Sequence, residues 1–335
     1  MILVTGGTGL VGSHLLYEIS KSKTPIRAIY RDVKRIHRIK KLFDFYSKGL
    51  PHHFELIEWV EADVLDLVQL EDAFAGITEV YHCAAMVSFG RRDFSKMMHV
   101  NREGTNNVLN LSLEYKIKKF GYISSTAAIG GQENTLTTED TKWKQSPTTS
   151  GYSITKYSAE KEVWRAVEEG LDVVIVNPCL IIGAGNWDES SMTIFRTLKK
   201  GLKFYTPGKN ALVDARDIAT ILVRLMNSEV KNERFLIISE NLTFKSSLQQ
   251  IAKGLGKKAP SILTPKWLVG LAWRLSALWA WIGGSKPTIT RDSANSAFSN
   301  MEYSNEKITK LLDYTFIPVK DAIRNAVDFQ TFNEQ

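Results

Sequence analysis

Cysteine is nearly missing from this chain: Cys83 and Cys179 are the only two in 335 residues. Two thiols cannot build a disulfide framework or a cysteine-rich metal cluster. Each falls inside an apolar run that reads as a buried strand, so both are expected in the core, no metal site is expected, and the setting is read as reduced and cytoplasmic. An uninterrupted apolar stretch is also lacking. A spanning helix needs roughly 20 mostly apolar residues, and the best candidate, 265–284, is broken by Arg274. No charged and then apolar leader precedes the first apolar run, which starts at Ile2, so no secretory signal is expected. Charge blocks are missing too. The net charge of +7 reads as dispersed, which fits a solvated surface and gives no reason to expect nucleic acid as a partner.

What is present is alternation. Strand-like apolar runs at 2–4, 26–30, 54–60, 78–83, 120–124, 173–176 and 235–238 are mostly separated by helical stretches. That rhythm predicts an α/β fold, a Rossmann-type doubly wound parallel sheet whose ligands gather at the carboxyl ends of the strands. The length suggests a second unit. A nucleotide-binding domain of residues 1–179 plus 212–240 is expected, with a smaller, mostly helical substrate lobe of 180–211 plus 241–335.

The first run ends in Thr5-Gly6-Gly7-Thr8-Gly9-Leu10-Val11-Gly12, and a helical pattern follows at once. Strand, tight turn and helix aim backbone N–H groups and a helix dipole at one point, a seat for phosphate. The glycines fit two registers, and Gly6, Gly9, Gly12 is the one adopted, with Leu10 and Val11 opening the helix. After the second run comes Tyr30-Arg31-Asp32. Tyr30 stands where an NAD site usually has an acid for the ribose 2′-hydroxyl, and Arg31 suits a 2′-phosphate. NADP(H) is therefore the expected cofactor, with Asp32 keeping NAD(H) open. Asp63, followed by Val64, is placed to accept from an adenine amino group or equally to cap the next helix. Ala84 and Ala85 allow close approach of a cofactor, or simply pack beneath a helix. Asn101 lies inside a helical stretch, 94–115, where an interior Asn and Gly weaken a helix and a polar duty would explain the Asn.

The chemistry candidates are a Ser-rich strand end, Ser124-Ser125-Thr126, and Tyr152-Ser153-Ile154-Thr155-Lys156 opening a helix. Tyr152 and Lys156 share one helical face. A neighbouring ammonium lowers a phenol's pKa, and a Ser hydroxyl on the same substrate oxygen completes a proton-transfer site. Spacing alone decides nothing, because Tyr-x-x-x-Lys occurs seven times. Placement beside the crevice singles out this pair over Tyr157 and Lys161, which lie about 140° around the same helix.

In that order, the motifs Thr5 to Gly12, Asp63-Val64, Asn101, Ser125 and Tyr152 to Lys156 resemble those of the extended short-chain dehydrogenase/reductase family, also called the NAD-dependent epimerase/dehydratase family. Residues 26–32, the segment that carries Arg31, are most similar to its dihydroflavonol-reductase branch. The resemblance implies that Ser125 is the catalytic serine beside Tyr152 and Lys156, with Asn101 supporting Lys156. It implies that backbone around Pro178 holds the nicotinamide carboxamide. It also implies a homodimer through the helices carrying Asn101 and Tyr152. The expected activity is hydride transfer between NADP(H) and a carbonyl or alcohol carbon of a small apolar substrate, with NAD-dependent epimerisation or dehydration of a nucleotide sugar as the alternative. Arg216 reads as an ion-pair partner of Asp214 or Asp217 rather than a substrate ligand. The Trp-rich segment 265–284 reads as core or lid packing, with peripheral membrane contact as its other reading.

Overall fold

The computed structural model describes residues 1–131, 133–282 and 289–334. In chain order the strands are β1 (Ile2–Thr5), β2 (Ile26–Tyr30), β3 (Ile57–Glu61), β4 (Glu79–His82), β5 (Lys119–Ile123), β6 (Leu136–Thr137), β7 (Val173–Pro178), β8 (Leu180–Ile182), β9 (Phe204–Tyr205), β10 (Lys209–Asp214), β11 (Glu233–Ile237), β12 (Glu240–Thr243), β13 (Ile262–Leu263) and β14 (Glu302–Tyr303). The helices are α1 (Leu10–Ser20), α2 (Ile36–Ser47), α3 (Leu67–Phe74), α4 (Phe94–Met98), α5 (Gly104–Glu114), α6 (Gly151–Glu168), α7 (Thr193–Lys199), α8 (Ala215–Met226), α9 (Phe244–Gly254), α10 (Lys266–Ile282), α11 (Arg291–Ser296), α12 (Glu306–Leu312) and α13 (Val319–Glu334).

Seven strands form the central sheet in the order β3-β2-β1-β4-β5-β7-β11, every neighbour parallel. The chain winds outward from β1 to β3, then returns to β4 on the other side of β1. That reversal opens a crevice at the carboxyl ends of β1 and β4, the place where such sheets bind ligands. All six residues of β7 are buried, so its apolar run reads continuously rather than alternating, as a strand covered on both faces must. One face is covered by Leu15, Leu16 and Ile19 of α1 against Ile218, Leu222 and Leu225 of α8. The other is covered by Leu70 of α3, Val108 of α5 and Val163 of α6. Each such side chain contributes about 1.5–3 kcal/mol on burial, enough to hold the strand ends in register.

A separate core joins Trp187, Phe195 and Leu198 to Ile251, Val319 and Ile323 beneath a three-stranded sheet, β12-β10-β8. The path between the two regions is more interwoven than the sequence suggests. Strand β10 pairs with β8 and β12, whereas Ile308 of α12 buries in the core of the central sheet.

Three local expectations change. The 94–115 stretch is not one helix: α4 and α5 are joined by a π-helical turn, His99–Glu103, that contains Asn101. Gly104 follows the turn because a Cβ there would sit 2.6 Å from Val64 Cγ2. The 54–60 run starts with a 3-10 turn, Phe54–Leu56, before β3. Cys83 and Cys179 pack against the core as expected, but at strand ends where they are only half-buried.

Candidate active site

The glycine turn is shaped by close approach. Gly6 has φ of +67°, and a Cβ there would lie 2.6 Å from the backbone nitrogen of Ala84. A side chain at Gly12 would strike the Gly6 carbonyl oxygen at 2.2 Å. Gly9 donates its N–H to Gly6 O at 3.0 Å and caps α1 without a side chain. The Gly6, Gly9, Gly12 register is therefore the one the backbone requires. The first turn of α1, with Leu10 and Val11, faces the crevice mouth with no side-chain cap, a cradle suited to a pyrophosphate. Below it, Thr5 Oγ1 and His82 Nδ1 lie 2.6 Å apart, and Ala84 N–H donates to Thr5 Oγ1 at 3.3 Å, tying β1 to β4 at the reversal point. Ala85 is exposed beside it.

Arg31 and Asp63 follow the neighbouring strands β2 and β3, and their side chains form a 3.5 Å ion pair. The Arg31 side chain is 63% exposed at that edge. Asp63 Oδ1 also accepts from Leu65 N–H at 3.0 Å, while the cap of α3 is Asp66, which accepts from Val68 and Gln69. Asp32 accepts from Lys34 N–H at 3.0 Å, so that carboxylate is engaged in capping its own turn. Val64 is buried against Gly104, with its carbonyl accepting from Asn107.

Across the crevice, the three hydroxyls after β5 have different partners. Ser124 Oγ donates to Glu160 Oε2 at 2.5 Å, and Thr126 hydrogen-bonds Tyr303. Of the three, Ser125 is the one whose side chain bears on the Tyr152 phenol, and its Oγ also accepts from Ala127 N–H at 3.2 Å. Ser150 caps α6 through Ser153 N–H, which places Tyr152 in the first turn. Burial raises the Tyr152 phenol above its ordinary value, and the Ser125 hydrogen bond pulls the other way. The Lys156 ammonium, buried, is held at about 8 by desolvation, with Glu160 and Cys83 opposing. It donates to Tyr122 OH at 3.1 Å and Ile123 O at 3.0 Å. Burial and the Ser125 hydroxyl are thus what act on the Tyr152 phenol, while the Lys156 ammonium is bonded to β5.

Asn101 clamps rather than contacts the lysine. Its Oδ1 accepts from Met86 N–H at 2.7 Å, and its Nδ2 donates to Met86 O at 2.9 Å and Thr155 Oγ1 at 3.0 Å. The β4 loop is thereby fixed to the residue next to Lys156. Tyr157 stacks on Trp143 at 4.1 Å, away from the Tyr152 face. Arg216 closes on Asp214 through two hydrogen bonds, of 3.0 and 2.6 Å. Pro178 ends β7, paired with Ile237.

Sequence reasoning missed the buried carboxylate beneath this site. Glu160 accepts from Ser124, from Asn177 Nδ2 at 2.8 Å and from Arg234 at 3.0 Å. Its four-residue offset from Lys156, on the same helical face, was the available signal. His82 was also missed. It stacks on Tyr122, and burial beside Lys156 lowers its pKa to about 3, so it is a neutral spacer. Next to Tyr152, a cavity of about 320 Å3 is lined by Phe89, Phe94, Met97 and Ile154, with Arg91 and Arg291 among its polar neighbours. Phe89 stands edge-on to Tyr152, with ring centroids 6.2 Å apart.

A Gly-cradled helix end at the reversal of a parallel sheet, facing a Ser–Tyr–Lys set, defines an NAD(P)-dependent oxidoreductase of the extended short-chain dehydrogenase/reductase type. The chain belongs to the NAD dependent epimerase/dehydratase family, whose model matches residues 2–237. It is similar to a putative dihydroflavonol 4-reductase of Synechocystis sp., 29% identical over 97% of this chain and 92% of the relative. It is 27% identical to sterol demethylase protein B of Methylococcus capsulatus, over 81% of this chain and 79% of that protein. Among solved structures, that of gox2253 superposes with a TM-score of 0.81 at 25% identity, covering 99% of this chain and 98% of the other.

Proposed function

We propose that this protein reduces a carbonyl carbon of a small, apolar substrate with NADPH, reversibly. When bound, the dinucleotide supplies the hydride; the protein supplies placement and the proton. Tyr152 gives its phenol proton to the carbonyl oxygen, Ser125 donates to the same oxygen, and Lys156 keeps positive charge beneath them. Asn101 is a positioning residue that holds the loop after β4 against α6. Gly6, Gly9, Leu10, Val11 and Gly12 seat the pyrophosphate. Asp63, Val64, Ala84, Ala85 and Pro178 line the rest of the cofactor's path. The observation that carries this reading is the selection of Ser125 for Tyr152, while Ser124 and Thr126 are bonded elsewhere.

Preference for NADP over NAD rests on Arg31, exposed at the crevice edge, and on Asp32, whose carboxylate is occupied by its own turn. An apolar substrate is supported by Phe89, which stands edge-on to Tyr152, and by relatives named for flavonoid and sterol chemistry. The nucleotide domain is taken as 1–179 with 212–240, and the remainder as the lobe that covers the substrate. A cytoplasmic homodimer completes the reading. The test is a screen of NADPH oxidation against aromatic, steroidal and sugar ketones. Turnover of an apolar ketone, lowered about 10²–10⁴-fold in Tyr152→Phe, is expected. Purification with tightly held NAD and no net NADPH consumption with any ketone would instead identify a nucleotide-sugar epimerase.

A further inference from the structure

Helix α10 turns an apolar stripe away from the protein. Trp267, Leu271, Leu275 and Trp279 recur every four residues, an arc of about 120° at 3.6 residues per turn. All four are exposed, the two tryptophans by 70% and 73%. Ala280, on the opposite side of the helix, is buried and marks the face that rests on the protein. Just before the helix, Ile262 and Leu263 of β13 are exposed as well. Single apolar side chains in water are ordinary, but a row of two tryptophans and two leucines is a contact surface.

Charge selects what it contacts. Residues 241–291 contain eight Lys or Arg and no Asp or Glu, more than the whole net charge of +7. The positive charge is therefore not dispersed, as composition suggests; it is carried by the part of the chain that holds the stripe. Arg274 borders the stripe, with its guanidinium 4.8 Å from the Trp273 ring centroid and donating to Gly270 O at 2.8 Å. Basic residues beside an exposed Trp and Leu face, with the nearest acid in sequence, Asp292, bonded to Gly151 N–H, fit a helix lying among lipid headgroups. A second copy of the same face would bring like charges together. No helix among the described residues is long and apolar enough to cross a membrane, so the contact is with the surface. Residues 283–284, the end of the segment singled out in the sequence, lie outside the described residues.

We propose that α10 docks this protein onto an anionic phospholipid bilayer, with the tryptophans at the headgroup boundary and the cations toward phosphate. The docked helix lies next to the chemistry: α10 packs on α11, and Asp292 of α11 accepts from Gly151 N–H at 3.2 Å, one residue before Tyr152. A substrate dissolved in the bilayer would then be presented beside the catalytic helix.

Co-sedimentation of the full chain with vesicles tests this without any turnover, so its outcome is independent of the reductase reading. Vesicles of phosphatidylcholine mixed with phosphatidylglycerol should bind the protein, and phosphatidylcholine alone at least about tenfold more weakly, with binding falling as salt rises. A Trp267→Ser, Trp279→Ser double variant should lose at least about tenfold in partitioning. Lys266→Gln with Arg274→Gln should lose the preference for the anionic lipid. All four side chains are exposed, so thermal melts should match the parent. No binding to the anionic vesicles, or binding unchanged in both double variants, would overturn the proposal. So would a dimer in sedimentation equilibrium that the Trp double variant dissociates, since that would assign the stripe to a second copy.

Discussion

Lys156 donates to the Tyr122 hydroxyl at 3.1 Å, a bond that directs a buried ammonium toward β5 and leaves its desolvation only partly offset. Burial lowers its pKa from 10.5 to about 8. In the unfolded chain the proton is kept to higher pH, so between about 8 and 10.5 the unfolded state binds more protons than the folded one. The penalty of burying the cation is complete below that window and is relieved as pH rises through it. Urea unfolding of the parent and of Lys156→Met across this range should show the parent gaining on the order of 3 kcal/mol relative to the variant. A constant difference would mean that the lysine is not a buried cation.

Tyr152 lies above the ordinary phenol range because it is buried. A phenol that keeps its proton suits reduction, where it must donate; the reverse reaction needs the phenolate. Reduction should therefore be flat through neutral pH, and oxidation should rise with pH up to the phenol's own titration. Tyr152→Phe should lower kcat by about 10²–10⁴-fold while NADPH affinity, measured by calorimetry, is retained. Loss of cofactor binding in that variant would make Tyr152 a structural residue.

How much of this was legible depended on the range of the interaction. Alternating apolar runs placed all seven strands of the central sheet, because strands buried on both faces leave a continuous signal. The Gly6, Gly9, Gly12 turn and the pairing of Arg216 with Asp214 were readable because their partners are a few residues apart. Asn101 stands out in the sequence as an anomaly in a helix, but the bonds through which it acts are not readable there. Its partners, Met86 and Thr155, lie 15 and 54 residues away. Strands β8, β10 and β12 were not readable because they carry no continuous apolar run: Lys209, Asn210, Asp214, Glu240, Asn241 and Thr243 interrupt the last two, and β8 has only three residues. The acid-free stretch 241–291 was visible in composition, but its meaning needed the exposed face of α10.

In the proposed reading, Arg31 selects the cofactor through a charge-assisted hydrogen bond to a 2′-phosphate, a group that NAD lacks. Its present partner, Asp63, is 3.5 Å away and partly exposed, and an ion pair in water of that kind is worth little. A 2′-phosphate would displace it readily. Arg31→Ala should weaken NADPH binding by about 10–150-fold, the equivalent of one hydrogen bond to a charged group, and leave NADH within about twofold. Equal losses for both dinucleotides would move the selectivity elsewhere and return Asp32 to consideration.

Glu160 connects four elements through one carboxylate. It lies on α6 and accepts from Ser124 after β5, Asn177 of β7 and Arg234 of β11. Asn177 also donates to Ser125 O at 3.0 Å, so the carboxylate positions the serine at second hand. Removing it leaves the Arg234 guanidinium and the Asn177 amide without their shared acceptor. Glu160→Ala should therefore cost about 3–5 kcal/mol in denaturant unfolding, the range for breaking a buried pair. Glu160→Gln keeps the shape and one acceptor oxygen. At a temperature where it is folded, its kcat should fall while KM and NADPH affinity hold, since only the aim of Ser125 has changed. If Glu160→Gln is destabilised but turns over at the parental rate, the carboxylate serves the fold alone, and the placement of Ser125 must come from the bond its Oγ accepts from Ala127 N–H at 3.2 Å.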